Sequence, residues 1–177
     1  MKRVFGSSAV FHQVHMLIRR HKWAEARKRL MDRETGKLRK PYSDYPNHAW
    51  YVLGDIAYKK NEIEAAKSFF RRSFDYDRHD VSALMALANC YSMSSQYKYA
   101  KRTLELAHRL EPQSSRITYN LANVMFDLKE YRSALRLYRL SLRGKDKEVS
   151  RLAAKNIDVT IGKTKSPARK VIKRPPR

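Results

Sequence analysis

Apolar and small residues return along the chain at a fixed distance of 34 positions: Leu87-Ala88-Asn89 recurs as Leu121-Ala122-Asn123, and Leu53-Gly54-Asp55 stands one period upstream. Three windows, 47–80, 81–114 and 115–148, align without gaps. Window position 4 holds Trp50, Leu84 and Thr118, and position 7 holds Leu53, Leu87 and Leu121. Position 8 is always small (Gly54, Ala88, Ala122), and position 20 is always alanine (Ala66, Ala100, Ala134). Position 24 is large (Phe70, Leu104, Tyr138), and position 27 is small again (Ser73, Ala107, Ser141). The helical spacing within each window predicts helices at 47–60 and 63–76, 81–94 and 97–110, 115–128 and 131–143. Small residues at positions 8 and 20 let two helices cross closely, and large residues at 4, 7 and 24 fill the space beside the crossing.

The pattern weakens at both ends. "HKWAEARKRL" (21–30) reads as the start of a second helix, with Ala26 and Leu30 in the roles of positions 20 and 24. Counting back makes 7–40 a degenerate fourth window, and "PYSDYP" (41–46) becomes a six-residue rigid insertion. The alternative is a plain helical pair over 8–33. Downstream, Val149, Leu152, Ala153 and Ile157 share one helical face, which predicts a capping helix over 146–160. From 161 to 177 there are three prolines and no acid, so a disordered basic tail is expected.

The windows resemble the tetratricopeptide repeat, W-x2-L-G-x2-Y…A-x3-F…P at a period of 34. The departures are mild. Position 11 is Ala57 with the aromatic slipped to Tyr58, and position 32 is Arg78 and Asp146 where the second window has Pro112. The resemblance implies an all-α, right-handed superhelical solenoid of helix-turn-helix repeats. It would have one degenerate N-terminal pair and loop (1–46), three clear repeats (47–148), a cap and a tail.

It also implies a concave groove lined from positions 2, 5, 6, 9 and 12, which hold His48, Tyr51, Val52, Asp55 and Tyr58 in the first repeat. The second repeat offers Ser82, Met85, Ala86, Asn89 and Ser92, and the third Arg116, Tyr119, Asn120, Asn123 and Phe126. Tyr51, Asp55, Tyr58, Met85, Asn89, Arg116, Tyr119, Asn120, Asn123 and Phe126 are the candidate peptide-binding residues. The family's two-carboxylate clamp is not expected here. Asn89 and Asn120 match its backbone-holding asparagines, but Met85, Ser150 and Ala154 stand where its basic residues belong. An alternative role for Asn89 and Asn123 is to bridge neighbouring helices.

Charge adds a second reading. The 177 residues carry 39 Lys and Arg against 17 Asp and Glu, a net of +22 that predicts attraction to polyanions. The first 40 residues hold 12 basic and 3 acidic groups, and 161–177 hold 7 basic and none acidic. Arg132, Arg136, Arg139 and Arg143 fall on one stripe of the last repeat, matched in the second by Lys98, Arg102 and Arg109 with Glu105 between. In the first repeat the stripe is Glu64, Ser68, Arg71 and Asp75. The tail adds Lys163, Lys165, Arg169, Lys170, Lys173, Arg174 and Arg177, and Ser166-Pro167-Ala168-Arg169 resembles units of DNA-binding tails.

No catalytic constellation, cofactor or metal is expected. The glycines form no phosphate loop, and His12 and His15, read as solvated or partner-facing, have no further ligand nearby in sequence. The lone Cys90 forms no internal disulfide, suits a reducing compartment, and is expected to be buried and inert. The basic start is broken by Gly6, Ser7, Ser8 and His12, which argues against a secretory leader. No stretch approaches the ~18 apolar residues of a membrane span. The expectation is a cytoplasmic, non-catalytic adaptor or scaffold that binds a protein partner through a peptide or helix. Its location would extend to the nucleus if the source is eukaryotic. A nucleic-acid-associated protein is the alternative, and a small secretion or assembly chaperone a third reading.

Overall fold

The computed structural model describes the backbone of residues 3–165 and the side chains of 9–164. The fold is an all-α solenoid of helix hairpins. The helices are α1 (Arg3–Arg19), α2 (Trp23–Leu30), α3 (Pro46–Lys59), α4 (Ile63–Tyr76), α5 (Val81–Met93), α6 (Tyr97–Leu110), α7 (Ser115–Asp127), α8 (Tyr131–Ser141) and α9 (Lys147–Lys165). The chain divides into two compact units, Met1–Leu110 and Glu111–Arg177. In the first unit each helix from α1 to α6 packs on the next, and in the second α7, α8 and α9 pack together.

The hairpins share one turn. His21, Asn61, Ser95 and Lys129 take left-handed φ values of 57°, 61°, 56° and 63°. All four occupy position 15 of their windows, counting 7–40 as a window. The next residue of each turn donates its N–H five residues back: Lys22 to Leu17, Glu62 to Ala57, Gln96 to Tyr91 and Glu130 to Met125, at 2.8–2.9 Å. This is the Schellman arrangement, which satisfies carbonyls left open at a helix end. The α1–α2 pair is therefore closed by the same turn as the three clear repeats.

The residues after each turn explain the crossings. Ala26, Ala66, Ala100 and Ala134 are completely buried, as are Ala122 and, to within 1%, Ala88. Ser73 and Ser141 are buried at position 27, where polar groups survive because they are hydrogen-bonded. Ser73 donates its hydroxyl to the Asn47 carbonyl at 2.9 Å, and Asn47 donates its amide to Asp80 at 2.9 Å. Asp80 also caps α5 by accepting from Ala83 N–H at 3.0 Å, so one polar chain ties α3, α4 and α5 together.

Several details depart from the sequence expectations. The helix α2 has 8 residues against 14 in α4 and α6, because the chain turns at Met31 into a short loop that pairs Met31 with Leu38. Asp32 organises that loop by accepting from Thr35 N–H at 3.0 Å and pairing with Arg39 at 2.6 Å. In the 41–46 segment, Tyr42–Asp44 form a 3-10 turn, and Pro46 begins α3, where its missing N–H leaves no bond unmade. The expected 131–143 helix stops at Ser141, because the chain turns at Gly144 against the first residue of α7; a Cβ there would meet Ser115 Cβ at 2.2 Å.

The cap differs most. A tail beginning at 161 is corrected: α9 continues to Lys165. Thr160 is fully buried and Thr164 donates to the Ile161 carbonyl at 2.8 Å, so Ile161–Lys165 continue the helix. Asp146 caps α9 by accepting from Val149 N–H at 3.1 Å. The expected disorder of 166–177 lies outside the described residues. Among those described, no helix is long and apolar enough to cross a membrane.

Candidate functional site

The candidate groove residues of the first unit lie on α3 and α5. Tyr51 is half-buried, with its ring 5.4 Å from Phe70, and burial together with the charges of Asp55 and Asp80 pushes its phenol pKa up. Asp55 pairs with Lys59 at 2.8 Å along α3. Tyr58 and Met85 are half-buried. Asn89 is exposed, and its amide makes no hydrogen bond among the described residues. Val52, expected on the groove wall, is instead buried at 5% exposure and belongs to the core.

At the start of α3, His48 meets α1. Its ring lies 4.4 Å from Phe11 and 5.8 Å from His15. This corrects the reading of His15 as a solvated histidine, whereas His12 is exposed. Burial lowers the pKa of both packed histidines. Like charge lowers it further, from Arg19 and His12 on His15 and from His15 on His48, while the negative charge of Asp55 opposes this at His15 and that of Asp80 at His48. No group of three or more His, Cys, Asp or Glu among the described residues could hold a metal. Cys90 is buried, and burial raises its thiol to about 11.

The second unit places Tyr119, Asn120, Asn123 and Phe126 on α7. Asn123 is not a free amide. Tyr138 donates its hydroxyl to Asn123 Oδ1 at 2.7 Å, and Asn156 of α9 donates to the same oxygen at 3.1 Å. Asn156 also donates to the Tyr119 hydroxyl at 3.1 Å. Asn123 therefore bridges three helices, as the alternative reading of these asparagines supposed. Burial pushes the Tyr138 phenol to about 12, so it remains a donor at neutral pH. Arg116 pairs with Asp146 at 3.0 Å while its head stays exposed. Asn120 is half-buried with no hydrogen bond among the described residues.

Beside this network is a depression of about 260 Å³ lined by Asn123, Phe126, Asp127, Tyr138, Asn156 and Val159. Asp127 has a raised carboxyl pKa through partial burial. The sequence reading missed Asn156 and Asp127. Asn156 stands outside the repeat register, so no window position pointed to it.

Arg132, Arg136, Arg139 and Arg143 are exposed in the second unit, and Lys98, Arg102 and Arg109 in the first. Lys163 of α9 shares a depression of about 420 Å³ with Lys129 and Arg132. The helix thus brings one basic residue assigned to the tail beside the stripe on α8. Lys165 has no described side chain, and Arg169, Lys170, Lys173, Arg174 and Arg177, with the Ser166–Arg169 unit, lie outside the described residues.

No curated protein matches the chain in sequence. Among solved structures, the first TPR of Spaghetti bound to the peptide SRMEEVD is similar at TM-score 0.64 and 15% identity, covering 69% of this chain and 98% of that one. The Yersinia enterocolitica type III secretion chaperone SycD, in complex with a peptide of the translocator YopD, is similar at TM-score 0.63 and 19% identity, covering 71% and 99%. Residues 7–155 match the family model described as the tetratricopeptide repeat protein 21 C-terminal ARM domain. With that match spanning most of its length, and with tetratricopeptide-type hairpins among its structural neighbours, the chain belongs to this family.

Proposed function

We propose that the chain is a non-catalytic adaptor that holds an extended segment of a partner protein against α3 and α5 of the first unit. The observation that carries this reading is Asn89: an exposed amide with no hydrogen bond among the described residues, on the same helix as half-buried Met85. An asparagine amide donates to and accepts from a peptide backbone at once, and methionine and tyrosine adapt to varied side chains. The peptide-bound states of two structural neighbours support the same use of the fold. The family's carboxylate clamp is absent, since Met85, Ser150 and Ala154 replace its cations. Specificity therefore comes from shape and apolar contact rather than from a terminal carboxylate. Selection of peptides from a displayed random library, followed by affinity measurement on Asn89→Ala, tests the reading. A loss of about tenfold agrees with one backbone-holding amide removed, and unchanged affinity contradicts it.

A second reading has one observation in its favour. Lys163 beside Arg132 and Lys129 gathers positive charge at one end of the α8 stripe, which suits polyanion contact. Each neutralised duplex phosphate adds about −0.9 to the slope of log affinity against log salt. Changing Arg132, Arg136, Arg139 and Arg143 to Ser would flatten that slope if nucleic acid is bound there.

A further inference from the structure

We propose that a cleft along α4, separate from the peptide groove, receives a phosphotyrosine side chain of a partner. The cleft encloses about 660 Å³ and is lined by Lys67, Ser68, Arg71 and Arg72 of α4, Tyr91 of α5, and Gln96 and Tyr99 at the start of α6. Glu64 and Asp75 stand at its two ends.

Its charges are unevenly satisfied. Lys67 is only 7% exposed, and a buried ammonium needs close compensation. Its carboxylate partner, Glu64 at 2.5 Å, is 83% exposed and largely hydrated. Its other neighbours are neutral: Gln96 Oε1 at 3.1 Å and the Tyr91 ring at 5.5 Å. Asp75 is already paired with Arg78 at 2.7 Å. Lys67 is paired with Glu64 and Asp75 with Arg78, which leaves the guanidinium groups of Arg71 and Arg72 as the cations of the cleft lining without a carboxylate partner among the described residues.

The cations are also held in place. Arg71 donates to the Tyr91 hydroxyl at 2.8 Å, and Arg72 lies over the Trp50 ring at 4.7 Å. A fixed planar guanidinium matches two phosphate oxygens at once. Tyr99 is 56% exposed and stacks on Tyr91, with centroids 5.5 Å apart and planes at 28°. That exposed ring gives the cleft an aromatic shelf suited to the phenyl ring of phosphotyrosine. A nucleic-acid backbone fits less well, because it needs a continuous basic track and Glu64 and Asp75 interrupt this one.

The test is fluorescence anisotropy on the full chain at physiological salt. The probe is a labelled phosphotyrosine peptide with neutral flanks, and the comparator is the same peptide unphosphorylated. The expected preference for the phosphorylated form is about tenfold or more. Arg71→Gln with Arg72→Gln should abolish it, while Arg136→Gln with Arg139→Gln should leave it intact. If the double variant loses helicity, Arg71→Lys keeps the charge without the fork and should weaken binding several-fold. The proposal is overturned if the wild-type chain shows no preference, if the preference survives the cleft variants, or if the α8 variants remove it equally. Asn89→Ala should not alter this binding, so failure here is separable from failure of the groove reading.

Discussion

A Cβ built on Gly54 would lie 2.6 Å from two ring carbons of Phe70, a residue buried to 2% exposure. These are positions 8 and 24 of the first repeat, where the others hold Ala88 with Leu104 and Ala122 with Tyr138. Glycine here is required by space, since its neighbour is too enclosed to swing away. Gly54→Ala should cost about 1–3 kcal/mol by overpacking, read as a lowered midpoint in thermal denaturation. An unchanged midpoint would contradict the close crossing of α3 and α4.

The turn between α5 and α6 makes the opposite prediction. Ser95 holds φ 56° with a side chain, in a region that only glycine enters without strain. Its side chain is exposed, so nothing packed is lost on removing it. Ser95→Gly should be neutral or stabilising, by up to about 1 kcal/mol, whereas the same change at a mid-helix site such as Ser68 should destabilise. Chemical denaturation of the two variants separates them.

Acidification should weaken the first unit. His15 and His48 have depressed pKa values in the fold, chiefly through burial. The unfolded chain therefore takes up protons first as pH falls, and stability rises with pH over that interval. Their contribution is complete above the ordinary histidine range and declines as pH drops from there toward the lowered values. Melting midpoints measured from neutral pH downward should fall, and less so for His48→Gln. Parallel curves for the two chains would count against the pair as the cause.

Tyr138, Asn123 and Asn156 should behave as one unit. Removing one partner leaves half-buried polar groups unmatched, so Asn156→Ala and Tyr138→Phe should each cost about 1–2 kcal/mol. The double variant should cost less than the sum of the two. Additive losses in a double-mutant cycle would mean that Tyr138 and Asn156 are not coupled.

What the sequence made legible follows from where its signals come from. Helix ends predicted from the repeat fall within two residues of those observed up to Ser141, because alanines at crossings and the shared left-handed turn recur every 34 positions. The helices that carry the candidate groove residues were legible, but not whether their polar groups are free or occupied. Asn89 and Asn123 are equivalent in sequence, yet only Asn123 has Tyr138 and Asn156 within reach. Asn156 lies in a helix outside the register, and the extension of α9 to Lys165 was hidden by the tail-like composition after Gly162. Lys67 carried no sequence signal, since its burial depends on Tyr91 and Gln96, about 24 and 29 residues away.

The adaptor reading is tested most directly by one titration series with a peptide selected from a random displayed library against the full chain. Affinity is measured on the wild type, on Asn89→Ala, and on the chain with Arg132, Arg136, Arg139 and Arg143 changed to Ser, each at low and physiological salt. Asn89 is the better groove probe than Asn123, because its amide supports no neighbouring helix. The account predicts about tenfold weaker binding for Asn89→Ala, no loss for the arginine variant, and a shallow dependence on salt. Binding that ignores Asn89, disappears with the four arginines and falls steeply with salt would contradict it.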